Sequence, residues 1–139
     1  QSYVDKMQSN QDRAVIFPKI PFKDLPQHLS AADILVIPQR DTTDTQGQMP
    51  AKLFDAMSMA KPIITTPLSD IEEVLGGYGY LIDPSNSDQL AKTIEYIFAN
   101  PEEARLKGIN ARKRCQELYD IKVLKKELNL QIKKLTTNS

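Results

Sequence analysis

The sequence contains no tryptophan, one cysteine (Cys115) and one histidine (His28) in 139 residues. A single cysteine cannot close an intrachain disulfide, so nothing here asks for an oxidising compartment, and the cytoplasm is the expected location. One cysteine and one histidine also fall short of the four ligands of a structural zinc site. No apolar run approaches the ~20 residues that cross a bilayer. Charge of one sign is missing too, since 18 Lys/Arg balance 18 Asp/Glu. A polyanion-binding protein of the usual kind is basic overall, so nucleic acid is not an expected partner. A Walker glycine loop, a Gly-x-Gly-x-x-Gly turn and a Gly-x-Ser-x-Gly elbow are all absent. Their absence removes the commonest NTPase, dinucleotide and hydrolase readings.

What remains is the composition of an ordinary globular chain, 40% hydrophobic and 26% charged, at one domain's length. The zero net charge is a sum of two unlike parts. Residues 1–100 carry 8 Lys/Arg and 13 Asp/Glu, whereas residues 101–139 carry 10 and 5. The basic surplus therefore sits on the last third, as a solvated lysine-rich face or as a surface for an anionic partner.

Four short apolar runs, 14–17, 34–37, 63–66 and 80–82, have strand length and do not alternate with polar residues. Continuous runs of this kind suit parallel strands covered on both faces. Helical spacing occupies the intervals at 23–32, 50–60 and 69–75, giving the strand–helix rhythm of βαβ units. The last third reads as helix throughout. Ser85 and Asp88 form a capping-box pattern, Asn100 and Pro101 open a second helix, and Asp120 caps a third. The second carries the small-residue stripe Ala104, Gly108, Ala111, Cys115 and Leu118. The third is expected to bury Ile121, Leu124, Leu128, Ile132 and Leu135. The predicted class is α/β, a Rossmann-like parallel sheet with helices on both faces, ending in two or three helices. It forms one domain over 1–135 with a frayed tail at 136–139. A helix is also expected over 1–10; a doubly wound fold does not usually start on a helix, so the domain is expected to be a fragment lacking its first strands.

In open α/β sheets ligands bind at the carboxyl ends of the strands. The loops expected there are 18–22, 38–49 and 67–69, and the middle one is unusually long and polar. It leads into a helix opened by Pro50, with Ala51 and Lys52 as the next free backbone donors. Such a start favours an anion, and phosphate suits a strand-to-helix turn. Lys52 opposes the helix dipole unless an anion lies nearby; alternatively it pairs with Asp55 one turn on. Asp55 either holds a vicinal diol such as a ribose or is a plain surface carboxylate. His28 and Cys115 read as local surface and packing residues respectively.

Several stretches in order carry a family likeness. They are Val15-Ile-Phe17, Leu25-Pro26-x-x-Leu29-Ser30-Ala31-Ala32-Asp33-Ile-Leu-Val-Ile-Pro38, and Met49-Pro50-Ala-Lys52-Leu-Phe-Asp55-Ala-Met57-x-x-Ala60-Lys61-Pro62. Glu72 and Glu73 ahead of the Gly77 turn, Leu90-Ala91-x-x-Ile94 and the 101–114 helix continue it. Together they resemble the C-terminal half of a GT-B glycosyltransferase of family 4, the group 1 glycosyl transferases. The resemblance implies a hexosyltransferase that is retaining and needs no metal or other cofactor, with a nucleotide-diphosphate sugar as donor. The acceptor, a glycan, lipid or small molecule, would be held by a separate N-terminal domain, so the fragment alone is expected to be inactive.

By the same resemblance Asp55 holds the donor ribose. Backbone amides at Gln48, Met49 and Ala51 line the diphosphate, where Pro50 has no N–H to give. The Pro18-Lys19-Ile20 turn meets the base, and the helix N-terminus and cationic side chains stabilise the leaving diphosphate, the family's phosphate-binding Arg and Lys normally lying upstream of residue 1. The family often carries Glu-x7-Glu; counting back from Asp55 gives Gly47, with Asp44 as a substitute sugar contact. That departure leaves room for an epimerase or phosphorylase half, or for a non-catalytic interaction module. In the family the last helix often crosses to the other half, and the basic end could instead meet a membrane peripherally at its inner face.

Overall fold

A computed structural model describes residues 14–137. The helix expected over 1–10 lies outside the described residues. Three parallel strands, β1 (Leu35–Ile37), β2 (Ile63–Thr65) and β3 (Tyr80–Leu81), form a sheet in the order β1-β2-β3. Leu35, Val36 and Ile37 stand opposite Ile63, Ile64 and Thr65; Ile64 and Thr65 in turn face Tyr80 and Leu81. The helices are α1 (Leu25–Ser30), preceded by a 3-10 turn at Phe22–Asp24, then α2 (Ala51–Ser58), α3 (Ile71–Leu75), α4 (Ser87–Ala99), α5 (Pro101–Leu118) and α6 (Ile121–Thr137).

Alternation along β2 explains the continuous apolar runs. Ile63 packs with Leu53, Ala56 and Met57 of α2, with Ile71, Val74 and Leu75 of α3 and with Ala111 of α5. Its neighbour Ile64 packs on the opposite face with Ile82, Ile97 and Ala104. Successive side chains of a strand point to opposite faces, so a strand covered on both must be apolar at every position. Thr65 and Thr66 are the buried exceptions. Thr65 Oγ1 donates to the Ile37 carbonyl at 2.9 Å, and Thr66 Oγ1 accepts from the Gln39 N–H at 3.1 Å. Both hydroxyls fasten the end of β1 to the end of β2, where the long loop departs.

The small-residue stripe on α5 performs the expected close packing at Ala104, Gly108 and Ala111, which are buried, while Leu118 is exposed. The Ala60 backbone occupies the space where a Cβ on Gly108 would stand. Arg114 extends from the same helix to the end of α3, donating from Nε to the Val74 carbonyl and from its terminal nitrogen to Glu73, both at 2.9 Å. Carbonyls at the end of a helix need such donors. Arg114→Ala is therefore expected to lower stability by about 1–3 kcal/mol, measured by urea unfolding.

Glu103 of α5 gathers two tyrosines. Its carboxylate accepts from the Tyr96 hydroxyl at 2.7 Å and from Tyr80 at 3.3 Å, tying α4 and β3 to α5. Partial burial, then the Glu103 charge, pushes the Tyr80 phenol up to about 12. The folded state thus keeps this proton above the ~10 at which a free tyrosine titrates. Its stabilising contribution is complete below pH ~10 and is lost as pH rises towards about 12. Tyrosinate absorbance should show Tyr80 ionising late, and Glu103→Gln should bring that transition down.

Four expectations about elements need correction. Residues 14–17 join no strand: Val15, Ile16 and Phe17 are 77%, 48% and 60% exposed, because no backbone runs alongside them among the described residues. Among the described residues β1 pairs on one side only. Second, the cap of α4 is Asn86 rather than Ser85. Asn86 Oδ1 accepts from the Gln89 N–H at 2.9 Å, while Ser85 takes a left-handed φ of 62° in the preceding turn. The Gln89 side chain accepts from the Asp83 N–H rather than from Asn86, whose N–H donates to the Asp83 carbonyl, so a side-chain cap forms at Asn86 without the reciprocal half of a capping box. Third, Asn100 precedes α5 but its side chain gives no cap bond; its Nδ2 donates backwards to the Tyr96 carbonyl.

The fourth concerns α6. Asp120 does cap it, accepting from the Lys122 N–H at 2.8 Å, and the helix continues through the expected tail to Thr137. Its apolar face is not buried: Ile121, Leu124, Leu128, Ile132 and Leu135 are all exposed. Nothing among the described residues covers Ile121, Leu124, Leu128 or Ile132.

Candidate functional site

The long loop closes on itself before entering α2. Thr45 is its anchor: its hydroxyl lies within hydrogen-bond reach of the Arg40 and Thr42 carbonyls and accepts from the Thr42 N–H. Gln46 Nε2 donates to Asp41 Oδ1 at 2.9 Å. The chain then turns through Gln48, whose own N–H donates to the Thr45 carbonyl at 3.3 Å. Pro50 sits at the cap of α2 rather than at its first helical position, with its carbonyl accepting from Leu53. Gln48 is thus occupied and Pro50 has no N–H, which leaves Met49, Ala51 and Lys52 as backbone donors outside any hydrogen bond among the described residues.

These donors line a cleft of about 540 Å³ between the end of β1 and the start of α2. Its walls are Val36 to Gln39 on one side and Gln48 to Lys52 on the other. Next to it, sharing Val36, Ile37 and Lys52, lies a smaller apolar cavity of about 270 Å³. Asp55 and Ala56 of α2 and Leu25 and Leu29 of α1 complete that second wall. The two spaces meet at Lys52.

The electrostatics favour a ligand bearing both an anion and hydroxyls. The first turn of α2 contains no acidic residue. Lys52 forms no ion pair among the described residues, so the expected alternative pairing with Asp55 is not made. An unpaired ammonium beside a helix N-terminus concentrates positive potential in the cleft. The half-buried Asp55 side chain accepts no hydrogen bond among the described residues and lines a cavity with Leu25, Leu29 and Leu35. A carboxylate with no donor of its own there gains from any ligand that donates to it.

Other expected residues stand apart. Gln48, Met49, Ala51, Lys52 and Asp55 come together, whereas Lys19, Ile20, Asp44 and Gly47 line neither space. A Cβ placed on Gly47 would meet nothing within 4 Å. Lys19 and Ile20 follow the unpaired 14–17 segment, whose position no neighbouring strand fixes. Cys115 is a packing residue: its sulfur approaches the Phe54 carbonyl at 4.0 Å, and burial pushes the thiol pKa up. His28 is exposed, with its ring edge-on to Phe17 at 5.3 Å.

Sequence reasoning missed Gln39. It leaves β1 directly into the cleft wall, and its Oε1 is buried with no hydrogen-bond partner among the described residues. A buried carbonyl without a donor is uncommon and usually meets water or a ligand. The only sequence signal was position: a polar residue two places after a strand, at the carboxyl edge of a parallel sheet.

Comparisons with known proteins bear on the fold and the family. The fold is similar to that of sucrose-phosphate synthase from Thermosynechococcus elongatus, with a TM-score of 0.82 and 23% identity over 98% of this chain and 34% of that one. It is also similar to Anabaena HepE solved with UDP, with a TM-score of 0.73 and 20% identity over 99% of this chain and 37% of that one. The HepE structure with UDP-glucose gives a TM-score of 0.70, again at 20% identity, 99% and 37%. This chain therefore spans little more than a third of each of these proteins. No curated protein matches it. Residues 1–100 match the family of glycosyl transferases group 1, and a match over that much of the sequence makes the chain a member of the group 1 glycosyl transferases.

Proposed function

We propose that the cleft at the start of α2 binds the diphosphate of a nucleotide-sugar donor while Asp55 takes the ribose hydroxyls. The observation that carries this reading is the pairing of two uncommitted groups one helical turn apart: the Lys52 ammonium and the Asp55 carboxylate. HepE, solved with UDP and with UDP-glucose, supports it by likeness of fold. In this reading the chain is the donor-binding part of a retaining, metal-independent hexosyltransferase of the cytoplasm. A separate domain holds the acceptor, and further strands of the donor half pair with the free edge of β1 and with residues 14–17.

The chemistry follows from where charge develops. As the sugar–phosphate bond breaks, negative charge accumulates on the leaving diphosphate. Amides of Met49, Ala51 and Lys52, the α2 dipole and the Lys52 ammonium are fixed in advance around that position, and such preorganised donors stabilise the transition state more than the ground state. The Gln39 carboxamide supplies a further polar contact for donor hydroxyls.

Calorimetric titration of UDP, GDP and ADP tests the proposal. Weak binding of at least one nucleotide, unchanged by EDTA, is expected, with no sugar transfer by the chain alone. Lys52→Gln should weaken it by roughly tenfold, the worth of one charge-assisted contact. Binding that vanishes with EDTA would remove metal independence, and an unaltered Lys52→Gln affinity would remove Lys52 from the site. Gly47 gives a further check. Since its surroundings are open and it lines neither space, Gly47→Glu should leave both stability, within about 0.5 kcal/mol, and nucleotide affinity close to those of the parent.

A further inference from the structure

The two walls of the cleft at the start of α2 are held in different ways. On the β1 side Gln39 donates its N–H to Thr66 Oγ1 at 3.1 Å, and Thr66 is only 1% exposed. That wall is tied to the core. The opposite wall, Gln48 to Lys52, follows a loop in which every residue from Arg40 to Gln48 except Thr45 is exposed. Packing cannot hold so exposed and polar a segment in one conformation, so its shape depends on hydrogen bonds.

Thr45 supplies those bonds towards both walls. Its Oγ1 lies 2.9 Å from the Thr42 carbonyl and within reach of the Arg40 carbonyl, one residue beyond the fixed wall. A hydroxyl has one proton, so it serves one of these carbonyls at a time while accepting from the Thr42 N–H at 3.0 Å. The Thr45 main-chain carbonyl accepts from the N–H of Gln48, where the other wall begins, at 3.3 Å. A parallel bond from Gln46 to Asp41 spans much of the same interval but ends at neither Arg40 nor Gln48. Thr45 alone therefore bridges from the entry of the loop to its exit.

We propose that Thr45 is a positioning residue for donor binding. Its hydroxyl sets the spacing of the two walls and so holds the Met49, Ala51 and Lys52 N–H groups where a diphosphate meets them. This rests on the donor-site reading and assigns to that site a residue that lines neither of its walls. Amides bind an anion only while they converge on it, and apparent affinity falls with the fraction of molecules already in the competent shape. Threonine suits the position because its β-branch restricts χ1 and its short hydroxyl reaches backbone groups of its own turn. Valine keeps the branch and loses the bonds, whereas serine keeps the bonds and loses the branch. The pair of substitutions separates hydroxyl from shape.

The test is calorimetric titration of UDP, GDP and ADP into the full chain and its Thr45→Val and Thr45→Ser variants. Thr43→Val is the control, an exposed threonine of the same turn whose side chain makes no hydrogen bond among the described residues. Thr45→Val is expected to weaken the best-bound nucleotide roughly three- to tenfold, with Thr45→Ser within about twofold of the parent and Thr43→Val unchanged. Nitrogen-15 relaxation gives a readout without ligand: residues 40–48 should lose order in Thr45→Val and keep it in Thr45→Ser. Thermal unfolding should be the same in all four proteins, because the loop lies outside both buried clusters. Unaltered affinity in Thr45→Val, or an equal loss in Thr45→Ser, would overturn the role and leave the donor site standing. Weakened binding with loop order unchanged would overturn it too, as would an affinity loss matched by a fall in stability, the mark of a merely structural residue. If the parent binds no nucleotide, the donor-site reading falls and this role falls with it.

Discussion

Gly108→Ala, which adds one methyl group, is expected to destabilise the chain by about 2–3 kcal/mol and to lower its midpoint of thermal unfolding by roughly 5–15 °C. On propensity alone the change should help, because alanine in a helix interior is favoured over glycine by about 1 kcal/mol. Packing reverses the sign. The new carbon would lie 2.4 Å from the Ala60 carbonyl oxygen and 2.7 Å from its carbon, both backbone atoms. Backbone there cannot swing aside as a flexible side chain would. Ala60 itself holds a left-handed φ of 55° in the turn joining α2 to β2, so α5 would have to lift off. Lifting α5 disturbs both sheet faces, since Ala111 belongs to one buried cluster and Ala104 to the other. Gly47→Ala is the control: the same methyl addition meets open space and should leave the midpoint unchanged. A stable Gly108→Ala would mean that the close approach of α5 is not what holds the two layers together.

The second large effect concerns binding. Asp55→Ala should weaken nucleotide affinity by roughly 10–100-fold, the loss of a charged acceptor shared between two ribose hydroxyls. Stability should hold, because the substitution removes a carboxylate that accepts no hydrogen bond among the described residues. A structural residue would show the reverse, with stability and affinity falling together. Asp55→Glu should recover most of the affinity, since it restores the carboxylate one methylene further out. Affinity unchanged in Asp55→Ala would leave the small apolar cavity without a role in donor binding.

The sheet was legible in the sequence because burial on both faces leaves a plain mark: strands with no polar alternation, separated by helical spacing. Close packing of α5 was legible for a similar reason, as small residues recur along one stripe only where backbones approach. Two failures share one cause. The 14–17 segment and the α6 face have the composition of buried elements, yet composition records a demand for a partner without saying where that partner lies. The shift from Ser85 to Asn86 at the start of α4 came from rival oxygens one residue apart, which turn geometry alone decides.

At the site, Lys52 and Asp55 were visible because a cation in the first turn of a helix runs against the dipole and calls for an explanation. Their separation from each other was not visible: spacing permits an ion pair, and only the fold shows that none forms. Gln39 was missed because nothing in a one-residue pattern reveals a buried carbonyl without a donor. Gly47 and Asp44 stand outside the cleft walls, so contact with the donor sugar would have to come from elsewhere in the site.

The central claim is that a nucleotide diphosphate sits at the start of α2. Backbone amide chemical shifts of the isotope-labelled chain, followed as UDP is added to millimolar concentration, test it most directly. The account predicts the largest changes at Met49, Ala51 and Lys52, with smaller ones reaching Asp55 and Gln39. It is contradicted if those amides stay still, or if the changes gather at the opposite ends of the strands, around Asp33, Pro62 and Phe98, where another cleft is open.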